Sequence, residues 1–310
     1  MVLGPILDGW GCFVWNLSVA PVFRWAGMKK SLLPLLVCGM LGGTRLAAAD
    51  NAANPPEAVE APPTITTGYG VSGLVLWLAA DSGVTLDKSG GVAALADKTG
   101  NFILTANSPS DEPTFVRNGL NGRPVLRFNG SQSLYSPDNF GGLLNRDMTI
   151  IVVASLTDPP GCEQYPLYLG QNSTPHANRA LVCLNGKEFF DGQFVGCYGA
   201  TRVKNTFIVS GASIDSTLTQ GTFYQNGKLM AVGSVSDENK SQNRVASFAD
   251  LSDGVTMGAA TDPVCGWQGD IAEELVYDHQ LTPTEMQFVW HYLSFKYGLH
   301  QIEPTQPAPQ

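Results

Sequence analysis

The chain is poor in charge. Asp, Glu, Lys and Arg make up 15% of its 310 residues, where about a quarter is usual. Basic groups are the scarcer half, 18 against 27 acidic ones. With a net charge of −9 and no Lys/Arg cluster, nothing here is built to neutralise phosphates, so nucleic acid is not an expected partner. Histidine is scarce too. His176, His279, His291 and His300 lie far from the cysteines in sequence, and no Cys-x-x-Cys pair exists, which removes the usual zinc patterns. There is no Gly-x-Ser-x-Gly elbow. Phe140-Gly141-Gly142 opens no strand-to-helix phosphate cradle, so nucleotide binding is not expected. The apolar runs near the N terminus are broken by Pro5, Pro21, Pro34 and glycine pairs and fall short of a spanning helix.

Glycine and proline are plentiful, 34 and 20 residues, and 44% of the chain is hydrophobic. This balance favours many short strands joined by turns around a real core. The N-terminal region reads as two starts. Residues 1–27 are a mis-assigned start or an extension. Met28-Lys29-Lys30, an apolar stretch and Ala47-Ala48-Ala49 then form a signal peptide over 28–49. Val37 before Cys38 is too large for a lipoprotein signal. Residues 1–49 carry four of the basic groups and one acidic group, so the remainder has a net charge of −12. Residues 50–69 form an Ala/Pro-rich linker, 70–300 a folded domain and 301–310 a disordered tail. The mature protein is expected to be secreted or periplasmic, with no membrane span.

Within the domain, period-two apolar runs predict strands at 75–78, 124–129, 133–136, 148–156, 166–169, 180–184, 193–198, 206–214, 222–225, 228–232, 255–258 and 271–277. The run Met148–Leu156 is nearly all apolar and β-branched, the pattern of a central strand buried on both faces. Asn226-Gly227 suits a type I′ hairpin turn. One helix is expected: Thr282 caps it, Pro283 and Glu285 fit its first turn, and Gly298 ends it. Met286, Val289, Trp290, Leu293 and Tyr297 supply its apolar face. The fold class is therefore all-β, a two-sheet antiparallel sandwich with one C-terminal helix.

Four segments in order carry a resemblance. They are Gly73-Leu74-Val75-Leu76-Trp77-Leu78 with Ala80-Asp81-Ser82-Gly83-Val84, then Gly91-Val92 through Ala96-Asp97-Lys98-Thr99-Gly100-Asn101, then Asn118-Gly119-Leu120-Asn121-Gly122-Arg123-Pro124-Val125 with Arg127-Phe128-Asn129-Gly130. The last is Gly269-Asp270-Ile271-Ala272-Glu273 through Tyr277-Asp278 to Lys296-Tyr297-Gly298-Leu299. Together they resemble bacterial laminin-G-like domains of the concanavalin A-like superfamily. The resemblance implies a jelly roll used more often for glycan or protein-surface recognition than for chemistry. Relatives also hold calcium between the early aspartate turn and the late strand, which implies Asp97, Asn101 and Glu273 as calcium ligands. Ala272 stands where such relatives place an aspartate.

Some members of that superfamily are glycoside hydrolases with alternating acids on one strand. Here Glu273 and Glu274 are adjacent and point to opposite faces. Asp270, Glu274 and Asp278 share a parity but lie about 13 Å apart per step, too far for either glycosidase geometry. Glu273 shares a face with Ile271, Leu275 and Tyr277 and needs a buried partner, either backbone amides or Arg123 or Arg127. His291 reads as a half-buried structural histidine. For a glycan-stacking face, Trp267, Tyr198 and Tyr224 are the candidates, with Tyr165 behind them, while Trp77 and Trp290 are assigned to packing. Cys162, Cys183, Cys197 and Cys265 are disulfide candidates, with Cys162–Cys265 between loops and Cys183–Cys197 across a local meander as one arrangement. The expected function is an exported recognition module, not an enzyme, binding polysaccharide or a cell-surface glycan or protein. The alternatives are a polysaccharide hydrolase or lyase with an unusual site, or a structural, adhesive envelope element.

Overall fold

The computed structural model describes residues 71–138, 147–157, 161–170, 178–191, 195–216, 221–233, 236–237, 254–260 and 266–299, with the backbone alone for 195–200, 231–233 and 236–237. All belong to the compact unit Pro56–Gln310. The expected leader, linker and tail lie outside the described residues.

Strands are numbered in chain order. One sheet contains, side by side, β15 (Lys228–Gly233), β14 (Gly221–Gln225), β13 (Ile208–Ile214), β8 (Met148–Leu156), β18 (Gln268–Tyr277), β6 (Arg123–Asn129) and β5 (Thr114–Leu120). Strand β1 (Leu74–Ala79) also pairs with β18, beyond the end of β6. The second sheet contains β16 (Ser236–Asp237), β12 (Val195–Thr201), β11 (Lys187–Asp191), β10 (Asn178–Leu184), β9 (Gln164–Gly170), β17 (Val255–Met257), β7 (Leu134–Ser136), β4 (Ile103–Thr105), β3 (Val92–Ala96) and β2 (Val84–Leu86). The pairings in both sheets are antiparallel. This is the expected two-sheet sandwich.

Between the sheets, Leu76, Leu78, Leu126, Phe128, Ile150 and Val152 meet Leu95, Leu104, Leu134, Leu167, Leu181 and Met257. The helix α1 (Pro283–Tyr297) covers the other face of the first sheet, setting Met286, Val289, Trp290, Leu293 and Tyr297 against Val125, Ile151, Val153, Leu275 and Tyr277. The first sheet is therefore a middle layer. That explains why all nine residues of β8 are buried and why its sequence lacks the alternation of a half-solvated strand.

The helix ends as the sequence dictates. Thr282 accepts from the backbone N–H of Glu285 while the Glu285 carboxylate accepts from that of Thr282, and Gly298 closes the last turn at φ 60°. Asn226 and Gly227 both have positive φ, 49° and 74°, as a type I′ turn requires. Strands β2 to β5 and β11 were not expected. They are short or carry polar and exposed residues, and what makes them strands is a neighbour remote in sequence.

One irregularity matters downstream. The register of β18 against β8 slips between Ile271 and Glu273, a β-bulge. Ile271 consequently joins the inter-sheet core, whereas Ala272 and Leu275 face the helix. The expectation that Glu273 shares a face with Ile271 is corrected by this extra residue.

Candidate functional site

Among the described residues, the aromatic side chains expected to stack on a ligand, Trp267, Tyr165 and Tyr224, do not form an exposed surface. Trp267 is 0% exposed in the inter-sheet core, where its indole N–H donates to the Ser155 carbonyl at 3.2 Å and the Arg202 guanidinium lies 5.3 Å from its ring. It is corrected to a packing residue. Tyr165 is buried as well, donating to Glu163 at 2.5 Å. Tyr224 is half-buried and leans on Trp290, 6.3 Å between centroids. The Tyr198 side chain lies outside the described residues. His291 is exposed, not half-buried.

Asp97, Asn101 and Glu273 are not brought together as a ligand set. Asp97 closes its own turn, accepting from the backbone N–H of Trp77 (2.7 Å), Thr99 (3.2 Å) and Asn101 (3.1 Å) and from the Thr99 hydroxyl. The Asn101 amide nitrogen donates to the Thr99 hydroxyl at 2.9 Å. Glu273 accepts from the Trp77 indole N–H (2.5 Å), the Tyr292 hydroxyl (2.7 Å) and the Tyr297 hydroxyl (2.8 Å), and is paired with Lys296 at 2.8 Å. Oxygens already satisfied by N–H and O–H donors present no shared set of lone pairs to a cation, so these residues do not fit calcium. Among the described residues, no group of three or more His, Cys, Asp or Glu side chains is arranged to hold a metal ion. The partners expected for Glu273 are corrected too: Arg127 is engaged with Asp270 through two hydrogen bonds of 2.7 and 2.9 Å.

The cysteines divide. Cys162 is disulfide-bonded, whereas Cys183 is free and buried, so a Cys183–Cys197 pairing is corrected. Cys183 is on the inter-sheet face of β10, and burial together with the nearby Glu188 carboxylate pushes its thiol up to about 11. The Cys265 side chain lies outside the described residues.

A different place gathers polar groups. Ser72, Asp147, Asp278, His279 and Glu285 line an open hollow of about 580 Å³. Asp147 immediately precedes β8, Asp278 and His279 follow β18, and Glu285 belongs to the first turn of α1. Because Tyr277 pairs with Thr149, the two strand ends coincide and their polar flanks emerge side by side. The His279 ring bridges carboxylates: Nδ1 is 3.2 Å from Asp278 Oδ1 and Nε2 is 3.5 Å from Glu285 Oε1. Burial pulls the Glu285 carboxyl up, but its bonds to Thr282 and His279 outweigh that and hold it below the usual range. Asp147 accepts from the Ser216 backbone N–H at 2.8 Å. Gly73 makes the floor possible. A Cβ there would meet Asp278 Oδ1 at 2.1 Å and His279 Nδ1 at 2.8 Å. The sequence signal for this site is weak: acids and a histidine just outside two long strands, whose coincidence depends on their pairing.

No family profile and no curated protein matches this chain. Among solved structures, it is similar to Trypanosoma rangeli sialidase in complex with the inhibitor DANA, with 14% identity, 75% of this chain and 35% of that one covered, and a TM-score of 0.50. It also matches that sialidase in complex with sialic acid (16% identity, 76% and 36% covered, TM-score 0.49). A third match is Ruminococcus gnavus IT-sialidase CBM40 bound to alpha2,3 sialyllactose (15% identity, 53% and 95% covered, TM-score 0.39). At such identities the first likeness establishes the fold alone, and the chain spans about a third of the sialidase it matches. It nevertheless corrects the expectation that this chain is not an enzyme. That expectation leaned on the fold and on where the acids of one strand point, and the same sandwich occurs in an enzyme.

Proposed function

We propose that this chain is a carbohydrate-binding sandwich of the laminin-G-like kind, exported through the signal at residues 28–49, which takes sugar hydroxyls into the hollow of Ser72, Asp147, Asp278, His279 and Glu285. The observation that carries this reading is the convergence of three carboxylates, a hydroxyl and an imidazole in one open depression. Carboxylates held by backbone and imidazole partners retain lone pairs for sugar hydroxyls, and a charged acceptor makes the stronger hydrogen bond. The acidic lining favours neutral sugars, since the carboxylate of an acidic sugar would meet like charge. Support for export comes from the disulfide at Cys162, which suits an oxidising compartment. The sandwich shared with a sialidase is compatible with a carbohydrate ligand.

The test is a glycan array probed with the intact chain, together with its Asp147→Ala and Asp278→Ala variants. Retention of neutral oligosaccharides, weakened about tenfold or more in either variant, is the expected result. Binding that both variants retain unchanged, or no binding to any glycan, would overturn the assignment. Assaying the retained sugars for released reducing ends measures turnover on the same material.

A further inference from the structure

We infer that Lys296 and Asp81 become joined by an intramolecular amide bond, with Glu273 carrying the proton. This site is separate from the hollow and independent of what the hollow binds.

Lys296 sits in the last turn of α1 with its side chain wholly buried. Its Nζ is 3.0 Å from Asp81 Oδ2, 2.8 Å from Glu273 Oε2 and 3.2 Å from the Tyr292 hydroxyl. The rings of Tyr292 and Tyr297 wall it in, with centroids 5.6 and 5.2 Å from Nζ. One wholly buried amine thus lies between two carboxylates and beside two aromatic rings. The other nearby cation is Lys98, whose Nζ lies 3.5 Å over the Trp77 ring.

The two carboxylates are not equivalent. Glu273 has three donors besides Lys296, from Trp77, Tyr292 and Tyr297, and would remain satisfied if the ammonium disappeared. Asp81 pairs with Lys296 at 3.0 Å and feels the charge of Lys98, but its Oδ1 is buried with no hydrogen-bond partner among the described residues. A buried half-satisfied carboxylate against a buried ammonium is a costly reactant state, and a neutral amide in its place relieves both charges. The contact also supplies the proximity that turns a slow bimolecular condensation into an intramolecular one.

The step balances without a co-reactant. The Lys296 ammonium passes a proton by way of Glu273 to Asp81, and the freed nitrogen pair attacks Cγ of the now neutral Asp81 carboxyl. A C–N bond forms and one C–O bond breaks. The departing hydroxyl, which carries that proton, takes a second from the nitrogen through Glu273 and leaves as water. Ammonium and carboxylate have become an amide, and Glu273 returns to its starting state. Asp81 follows β1 by two residues, so the bond staples the C-terminal helix to the first strand of the sheet beneath it.

Mass spectrometry of the purified full-length chain, with thiols reduced and the N terminus determined, tests this. The expected mass is one water below that of the sequence, and tryptic digestion yields a branched peptide joining Asp81 to Lys296. Glu273→Gln, which keeps an acceptor but cannot carry the proton, and Lys296→Arg, which keeps the charge but not the amine, restore the lost water. A wild-type chain at its unmodified mass, with trypsin cutting after Lys296, overturns the proposal even if neither variant folds. So does a water loss that persists in Lys296→Arg.

Discussion

Glu274 has an environment badly matched to a charge. Its neighbours across the ladder are Leu78 and Val152, it is fully buried, and neither oxygen has a hydrogen-bond partner among the described residues. Burial raises its pKa well above the ordinary 4.5. A carboxyl whose pKa rises on folding binds its proton more tightly in the folded chain. Stability is therefore full below the unfolded value and falls as pH climbs past it toward the folded one. Glu274→Met should add about 1–3 kcal/mol near neutral pH by removing an unsatisfied polar group, and it should flatten the decline that sets in as pH rises above the ordinary carboxyl range. Urea denaturation of both proteins across that range checks the pair of effects; equal slopes would contradict the assignment. That Glu273 and Glu274 face opposite ways was legible from adjacency. That Glu273 would sit in a dense polar network and Glu274 be buried alone was not, because the donors to Glu273 come from β1 and α1 and Glu274 is enclosed between β1 and β8.

Elements differ in how far they depend on distant chain. Helix α1 carries its own start signal, with Thr282 and Glu285 satisfying each other's backbone N–H groups, and local chemistry of that kind is readable without a fold. Thr282→Ala should cost about 1 kcal/mol, seen as a lower denaturant midpoint, with Glu285 moving part of the way back toward its ordinary pKa as it loses the Thr282 hydroxyl, one of the bonds that depress it. Strand β18 is the opposite case. Its apolar run was visible, but its bulge exists only against β8, and the bulge decides which acids meet the helix. Strands β5 and β11 went unread for the same reason.

At the scale of the whole molecule, the sheets are joined by more than apolar contact. Arg202, just beyond β12, pairs with Glu188 of β11 at 2.7 Å and donates to the Ala154 carbonyl of β8 at 2.6 Å and the Ser210 hydroxyl of β13 at 3.3 Å. Ser210 and Gln225 in turn donate to Glu188 at 2.6 and 3.3 Å. The pair is buried, and its hydrogen bonds reach from the second sheet to the first. Arg202→Met alone should cost about 3–5 kcal/mol, because Glu188 is left buried without its cation. Adding Glu188→Leu should recover much of that, and a double variant no more stable than the single one would count against this reading.

The sequence by itself determined the architecture. Alternating short runs, a doubly apolar strand, an Asn-Gly turn and a capped helix are local signatures, and they suffice for a sandwich with one C-terminal helix. The surfaces and sites were decided by tertiary structure. Burial turned Trp267 from a ligand platform into core, and a bulge redirected Glu273. Strand pairing gathered Asp147, Asp278 and His279 at one end of the sheet, and helix docking set Lys296 against Asp81 across most of the domain. Period and capping are properties of neighbours in the chain, whereas a site is a meeting of residues far apart in it, which only the folded backbone brings about.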